Sequence, residues 1–324
     1  MCTAISYKTE EHYFGRNLDL HHSYKETVTV TPRHFPFHFR NGTVIENHYA
    51  LIGMANVNYG YPLYYEATNE AGLSLAGLNF PQNAVYCTGS VSKENITPFE
   101  LIPWLLGQCK NTSEALQKID TMNLWNCPFS DELPLTPLHW MISDRDRSFT
   151  IESMADGLKI YENSPGVLTN NPPFYYHIHN LSNYINLTCH QPSNRFSDKI
   201  ALEPYSLGMG AIGLPGDLSS QSRFIRAAFT KLNSVAVTGE SESISQFFHI
   251  LASVAQQKGL NCVGNGEYEY TIYSSCCNTD RGIYYYTTYE NSQITAVDMY
   301  KEDLDTKDLI SYPLITGQQV LRQN

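Results

Sequence analysis

Apolar and polar residues alternate in short runs over the first third of the chain. "CTAISYK" (2–8), "HYFGRNLD" (12–19) and "TVTVTP" (27–32) are rich in β-branched and aromatic residues and are separated by polar turns, a pattern that predicts strands. The period then changes. "ITPFELIPWLLGQC" (96–109) opens with Thr97, Pro98 and Glu100, a capping box with proline at the first helical position, and continues with apolar residues at helical spacing. "TSEALQKIDTMN" (112–123) repeats the pattern from a Thr-Ser start, which predicts a helix pair.

Alternation returns in "LHWMISDRDRSFTIESMADGLKIYEN" (138–163), where "DRDR" and "ADG" occupy the hairpin turns of a meander. A second helical zone covers "SSQSRFIRAAFTKLN" (219–233) and "SISQFFHILASVAQQKG" (243–259), with Gly259 as the expected C-cap of the latter. "YEYTIYSSC" (268–276), "GIYYYTTYE" (282–290) and "ITAVDMY" (294–300) read as closing strands. Blocks of strands between pairs of helices do not follow the βαβα rhythm of a parallel doubly wound sheet; they fit antiparallel sheets covered by helix pairs. No linker, repeat or low-complexity tract interrupts residues 1–324, so a single domain is expected.

Composition narrows the function. A net charge of −11 without any Lys/Arg run lacks the footprint that nucleic acid or an anionic membrane surface requires. The first twenty residues carry Lys8, Glu10, Glu11, Arg16 and Asp19, which leaves no apolar signal-peptide core, and no later run reaches membrane-spanning length; a cytoplasmic protein is expected. Eight cysteines without CxxC spacing are expected to be reduced thiols. "HFPFH" (34–38) and "HIH" (177–179) have no Cys or His partner at a zinc spacing, so no metal is indicated.

Cys2 is the residue that carries chemistry. Removal of Met1 would place a thiol and a free α-amine on one residue. The amine, with a pKa near ~7.7–8.0, suits a proton acceptor, and the thiol, near ~8.5, is the strongest common nucleophile. Arg16 and Asp19, in "GRNLD", belong to the strand expected beside Cys2: a guanidinium there favours thiolate, and a carboxylate can orient the α-ammonium. A regular strand puts 16 and 19 on opposite faces, so this reading calls for a twist or bulge before Asp19. Asn79 in "AGLNFP" and Asn170 with Asn171 in "LTNNP" lie at expected strand ends, where amides can meet a developing oxyanion. "LGMGAIGLPGD" (207–217) contains GxGxxG, but no strand precedes it and "LPGD" stands where a helix should begin. It reads instead as a loop that approaches the site and delivers Arg223 on the next helix. Tyr59, Tyr61, Tyr64 and Tyr65 cluster in "NVNYGYPLYYEA" and suit a rigid apolar ligand with scattered hydroxyls.

Taken in order, "MCTAI", "FGRNLDL", "NEAGLSLAGLNFP", "GVLTNNP" and "GLPGDLSSQSRF" resemble the choloylglycine hydrolase family, especially its bile salt hydrolases, over essentially the whole chain. The resemblance implies an α+β N-terminal nucleophile hydrolase fold, a four-layer αββα sandwich of two antiparallel sheets between helical layers. It implies Cys2 as nucleophile with its α-amine as base, Arg16 and Asp19 beside the thiol, Asn79 and Asn170 around the oxyanion, and Arg223 in support. It further implies hydrolysis of glycine- and taurine-conjugated bile salts without metal or organic cofactor, and a homotetramer. Leu18, Leu20, Tyr24, Tyr65 and Phe129 are the expected apolar wall. Related penicillin V acylases resemble one another in having tyrosine at the place of Asn79, so Asn79 favours bile salts. The rival readings are a penicillin V or other N-acyl amide hydrolase on the same fold, and a non-catalytic sterol or lipid carrier.

Overall fold

The computed structural model describes residues 1–235 and 238–324. The first strands are β1 (Cys2–Lys8), β2 (His12–Leu20), β3 (Thr27–Thr31), β4 (Leu51–Asn58), β5 (Tyr61–Asn69) and β6 (Ser74–Asn79). Helices α1 (Leu101–Leu106) and α2 (Thr112–Ile119) follow, then β7 (Leu138–Ser143), β8 (Ser148–Met154), β9 (Gly157–Glu162) and the two-residue β10 (Val167–Leu168). Helices α3 (Phe174–Leu181), α4 (Ser220–Asn233) and α5 (Glu240–Ala252) precede β11 (Tyr270–Asn278), β12 (Ile283–Thr288), β13 (Asn291–Asp298) and β14 (Ile310–Pro313).

These strands form two antiparallel sheets. One has six strands in the order β10-β1-β2-β11-β12-β13; the other has eight, in the order β9-β8-β7-β6-β5-β4-β3-β14. Helices α4 and α5 cover the outer face of the six-stranded sheet, α3 packs on α4, and α1 lies against β5 and β6 on the far side of the eight-stranded sheet with α2 beside it. The result is the α+β four-layer αββα arrangement that the family resemblance implies, and it agrees with the antiparallel sheets covered by helices that the strand and helix blocks indicate. Among the described residues no helix is long and apolar enough to cross a membrane, and none of the eight cysteines is paired in a disulfide.

Because the six-stranded sheet is covered on both faces, every residue of β2 except Leu20 is buried. At Gly15 the backbones of β2 and β11 approach so closely that a Cβ would run into the Ser275 carbonyl. One cluster of apolar side chains fills the space between the sheets and under α4 and α5, and a second fills the space under α1 and α2.

Several boundaries differ from the sequence pattern. Glu100 Oε2 does accept from the Thr97 amide at 3.0 Å, as in a capping box, yet regular helix begins only at Leu101, and Thr97 Oγ1 has no partner. The last long helix runs from Glu240 to Ala252, seven residues short of Gly259, which sits in a left-handed turn at φ +106°. The pattern did not indicate α3. None of the glycines of "LGMGAIG" lines the cavity between the two sheets, and Gly210 packs against the carbonyls of Thr188 and His190, where a Cβ could not fit. That loop does lead into α4, which carries Arg223.

Candidate active site

Cys2 begins β1 opposite Leu18 of β2. Alternation along β2 therefore turns Arg16, Leu18 and Leu20 to the face of Cys2, and all four border one cavity of about 590 Å³ between the sheets. Asn17 and Asp19 face the other way, toward α5, where Asn17 Nδ2 donates to the Leu251 carbonyl at 2.9 Å. No bulge precedes Asp19 in β2. The irregularity lies in the partner strand, where Thr271 pairs with Asp19 and Tyr273 with Leu18, leaving Ile272 extra. Asp19 thus serves the terminus from the helix side. Its carbonyl accepts from the Met1 ammonium at 2.7 Å, and its carboxylate is fixed by Thr271 Oγ1 at 2.6 Å and Gln256 Nε2 at 3.1 Å.

The amide nitrogen of Cys2, which becomes the α-amine when Met1 leaves, donates to Asn170 Oδ1 at 2.8 Å. Asn170 follows β10, which pairs with β1 and so carries this asparagine to the first residue of that strand. Its Nδ2 donates to the Asn79 carbonyl at 2.8 Å, joining the two sheets at the site. Asn79 stands opposite Leu138, yet the main chains of this pair do not bond to each other: the Leu138 amide donates to Tyr86 Oη, and the Asn79 carbonyl turns to Asn170. The Asn79 N–H therefore points away from β7, on the side where β5 has diverged and the cavity opens.

Two guanidiniums complete the site. Arg223, fully buried on α4, donates from Nη1 to the Cys2 carbonyl at 2.5 Å and Thr3 Oγ1 at 2.7 Å, from Nη2 to Asn170 Oδ1 at 2.8 Å, and from Nε to the Leu218 carbonyl at 3.0 Å. Arg16 uses Nη1 for the carbonyls of Gly77 (2.6 Å) and Tyr65 (3.2 Å), while its buried Nη2 has no partner. Its Nε is 3.8 Å from the Glu66 carboxylate, which also accepts from Tyr273, Tyr284 and Ser275.

Burial is the largest influence on the charges here. It lowers the pKa of the Met1 amine, an effect opposed by Cys2 and Asp19 and reinforced by Arg223 and Arg16. It lowers Arg223 and raises Glu66. Arg16 moves upward despite burial, because Cys2, Tyr273, Glu66 and Asp19 all favour its charge. The Met1 ammonium also pairs with Glu269.

The cavity wall contains all five expected residues, Leu18, Leu20, Tyr24, Tyr65 and Phe129, together with Asn79. Of the clustered tyrosines, Tyr64 and Tyr65 reach the wall, Tyr61 packs behind Phe129 and Phe99, and Tyr59 is 82% exposed. Asp19, Asn170 and Arg223 are not part of the cavity wall; they bond to the Met1–Cys2 terminus, and Asn170 also reaches Asn79. The segment before β7, "ELPLTP" at 132–137, supplies a large part of the roof. Its Pro-Leu alternation was the available signal in the sequence. Arg40 anchors the same roof, lying 5.3 Å from the Phe129 ring and donating to the Phe129 carbonyl.

Residues 2–312 match the family described as linear amide C–N hydrolases, choloylglycine hydrolase family. The chain is 56% identical over 324 residues to a bile salt hydrolase/transferase of Lactiplantibacillus plantarum, covering all of both chains. It is 36% identical over 318 residues to a bile salt hydrolase/transferase of Clostridium perfringens, covering 96% of each. In three dimensions it superposes on a mutant of the conjugated bile acid hydrolase from Clostridium perfringens with a TM-score of 0.92 at 35% identity, covering both chains completely. The penicillin V acylase from Agrobacterium tumefaciens shares the fold at a TM-score of 0.75 and 19% identity, over 96% of this chain and 90% of that one.

Proposed function

Because the chain belongs to the choloylglycine hydrolase family of linear amide C–N hydrolases, we propose that it cleaves the amide joining a bile acid to glycine or taurine, with Cys2 as nucleophile once Met1 has been removed. One observation carries this reading. The Asn170 carboxamide bridges the Cys2 nitrogen and the Asn79 carbonyl at the end of a cavity large enough for a rigid, drug-sized acyl group.

The thiol proton passes to the α-amine and sulfur attacks the amide carbon. The carbonyl oxygen becomes an oxyanion facing the Asn79 N–H and the second hydrogen of Asn170 Nδ2. Collapse breaks the C–N bond while the α-ammonium protonates the departing amine. Water, deprotonated by the same amine, then attacks the thioester, and a second oxyanion collapses to free bile acid and restored thiol. Arg16 stabilises the thiolate, Asp19 and Arg223 hold the terminus, and the reaction needs no metal or organic cofactor. The same thioester would pass its acyl group to an amine in place of water, the transferase reaction in those relatives' names.

We read residues 1–324 as one N-terminal nucleophile hydrolase domain working in the cytoplasm as a homotetramer. Phe196, Tyr205 and Leu207, each more than four-fifths exposed on the segment between α3 and α4, support self-association. The mechanism is tested by rapid quenching with taurocholate followed by intact-mass analysis. A cholyl adduct on Cys2, absent from Cys2→Ala, is expected. No adduct and no turnover would favour a sterol or lipid carrier.

A further inference from the structure

Behind the two asparagines lie three fully buried groups that the mechanism above does not use: His139 on β7, Glu152 on β8 and His177 on α3. His139 touches the chain beside both asparagines. Its Nε2 donates to the carbonyl of Thr169, the residue before Asn170, at 3.0 Å; a carbonyl only accepts, so this nitrogen carries hydrogen. Its ring lies flat on Phe80, the residue after Asn79, with centroids 4.3 Å apart and planes 4° from parallel.

The histidine is itself held in place. Nδ1 is 2.9 Å from Glu152 Oε1, an oxygen that also accepts the Phe174 amide at 2.9 Å. His177 Nε2 donates to the Asn170 carbonyl at 2.9 Å, and its ring stacks on Phe224, the neighbour of Arg223. Each main-chain neighbour of the two asparagines on this side is thus gripped by a side chain with little room to move. The asparagines come from different sheet elements, β6 and the turn after β10, and their mutual contact is one hydrogen bond.

We propose that His139 is a positioning residue that sets the distance between Asn79 and Asn170, and so the gap between the two donors that receive the oxyanion, with Glu152 locking its ring. The inference rests on the oxyanion reading of those asparagines. Displacement of a donor by about 1 Å is enough to lower a rate by ~100-fold.

The test compares His139→Ala, His139→Gln and the double variant His139→Gln/Glu152→Gln, with Asn170→Ala in parallel, by taurocholate kinetics on proteins whose folding is checked by thermal melting. Gln retains a donor that can reach the Thr169 carbonyl; the double variant pairs it with a neutral partner. A fall in kcat of about 10- to 100-fold in His139→Ala, with KM changed less than about 3-fold and partial recovery in a Gln variant, is the expected result. A merely structural residue would not separate kcat from KM in this way.

Unchanged kcat in the folded His139 variants, while Asn170→Ala is slow, overturns the positioning role and leaves the oxyanion site standing. If Asn170→Ala itself keeps full kcat, the oxyanion reading fails first. KM rising with kcat preserved, or no variant folding, also overturns the inference, since His139 would then shape the cavity or only the fold.

Discussion

Replacing Arg223 by methionine removes a buried cation from beside the reactive terminus while keeping an unbranched chain of similar length. In the structure Arg223 Nη2 and the Cys2 nitrogen each lie 2.8 Å from the same Asn170 oxygen. Sharing one acceptor, the two nitrogens are at most about 5.6 Å apart; at ~5 Å a unit charge is worth ~3 kcal/mol at an effective dielectric of ~20 and just under ~1 kcal/mol in bulk water. That spans a shift of about 0.6 to 2.4 pH units. Full burial of Arg223 places the expectation in the upper part of the range, at about one to two units.

The sign follows from the charge. A cation disfavours the α-ammonium, so its loss raises the pKa of the α-amine, and it also deprives a thiolate of stabilisation. Whichever proton limits the reaction, the acidic limb of kcat/KM moves to higher pH in Arg223→Met. The assay is taurine release from taurocholate between about pH 4 and about pH 9, which reads the free enzyme's essential ionisations. Stability should fall by only about 2–4 kcal/mol, because the orphaned acceptors, among them the Cys2 and Leu218 carbonyls, are partly offset by relief of a buried charge. An acidic limb that stays in place, or moves to lower pH, in a folded variant would refute the electrostatic role of Arg223.

Arg40→Ala removes the guanidinium that holds the cavity roof through the Phe99 and Phe129 rings and the Phe129 carbonyl. At ~1 kcal/mol for an exposed cation–π contact, KM for bile salts should rise about 3- to 10-fold with kcat nearly unchanged, and an unaltered KM would contradict the anchoring role. Gly15→Ala forces a Cβ against the Ser275 carbonyl, so a loss of at least ~1–3 kcal/mol is expected by urea unfolding, together with activity, since Arg16 is the next residue. A wild-type midpoint for Gly15→Ala would argue that β2 and β11 are not so closely joined. Burial lowers His12 to about 3 and His177 to about 4, so both stay neutral in the fold while the unfolded chain takes up protons below about pH 6.5. The stability that they contribute is fully present above that pH and is lost toward acid, by ~1.4 kcal/mol per unit for each histidine. The urea midpoint should therefore drop between about pH 7 and about pH 5, and drop less in His12→Gln; equal drops would show that His12 is not the source.

What could be read from the sequence was what local pattern encodes. Alternation marked the strands from Cys2 to Thr31 and the meander from Leu138 to Glu162, and Cys2 stood out through chemistry that depends only on chain position. The face of Asp19 was not legible. The irregularity that adjusts β2 to its neighbour sits at Ile272, some 250 residues away, and no feature around Asp19 reports it. The same holds for α3, whose eight residues begin after two prolines and pack through Phe174 and His177, and for the glycine loop, whose real partners are Thr188 and His190. The candidates that the fold gathers around Cys2 are ones that a motif carried. Glu66, His139, Glu152 and His177 carry no motif that ties them to Cys2, and only the fold brings them behind the site.

The most direct measurement is the ratio of kcat/KM for glycocholate and taurocholate to that for penicillin V, on protein whose intact mass shows Met1 removed. The account predicts a strong preference for the bile salts, lost completely in Cys2→Ala. A preference for penicillin V would contradict the substrate drawn from Asn79 and the cavity, and full turnover with Met1 still attached would contradict the terminal amine as base.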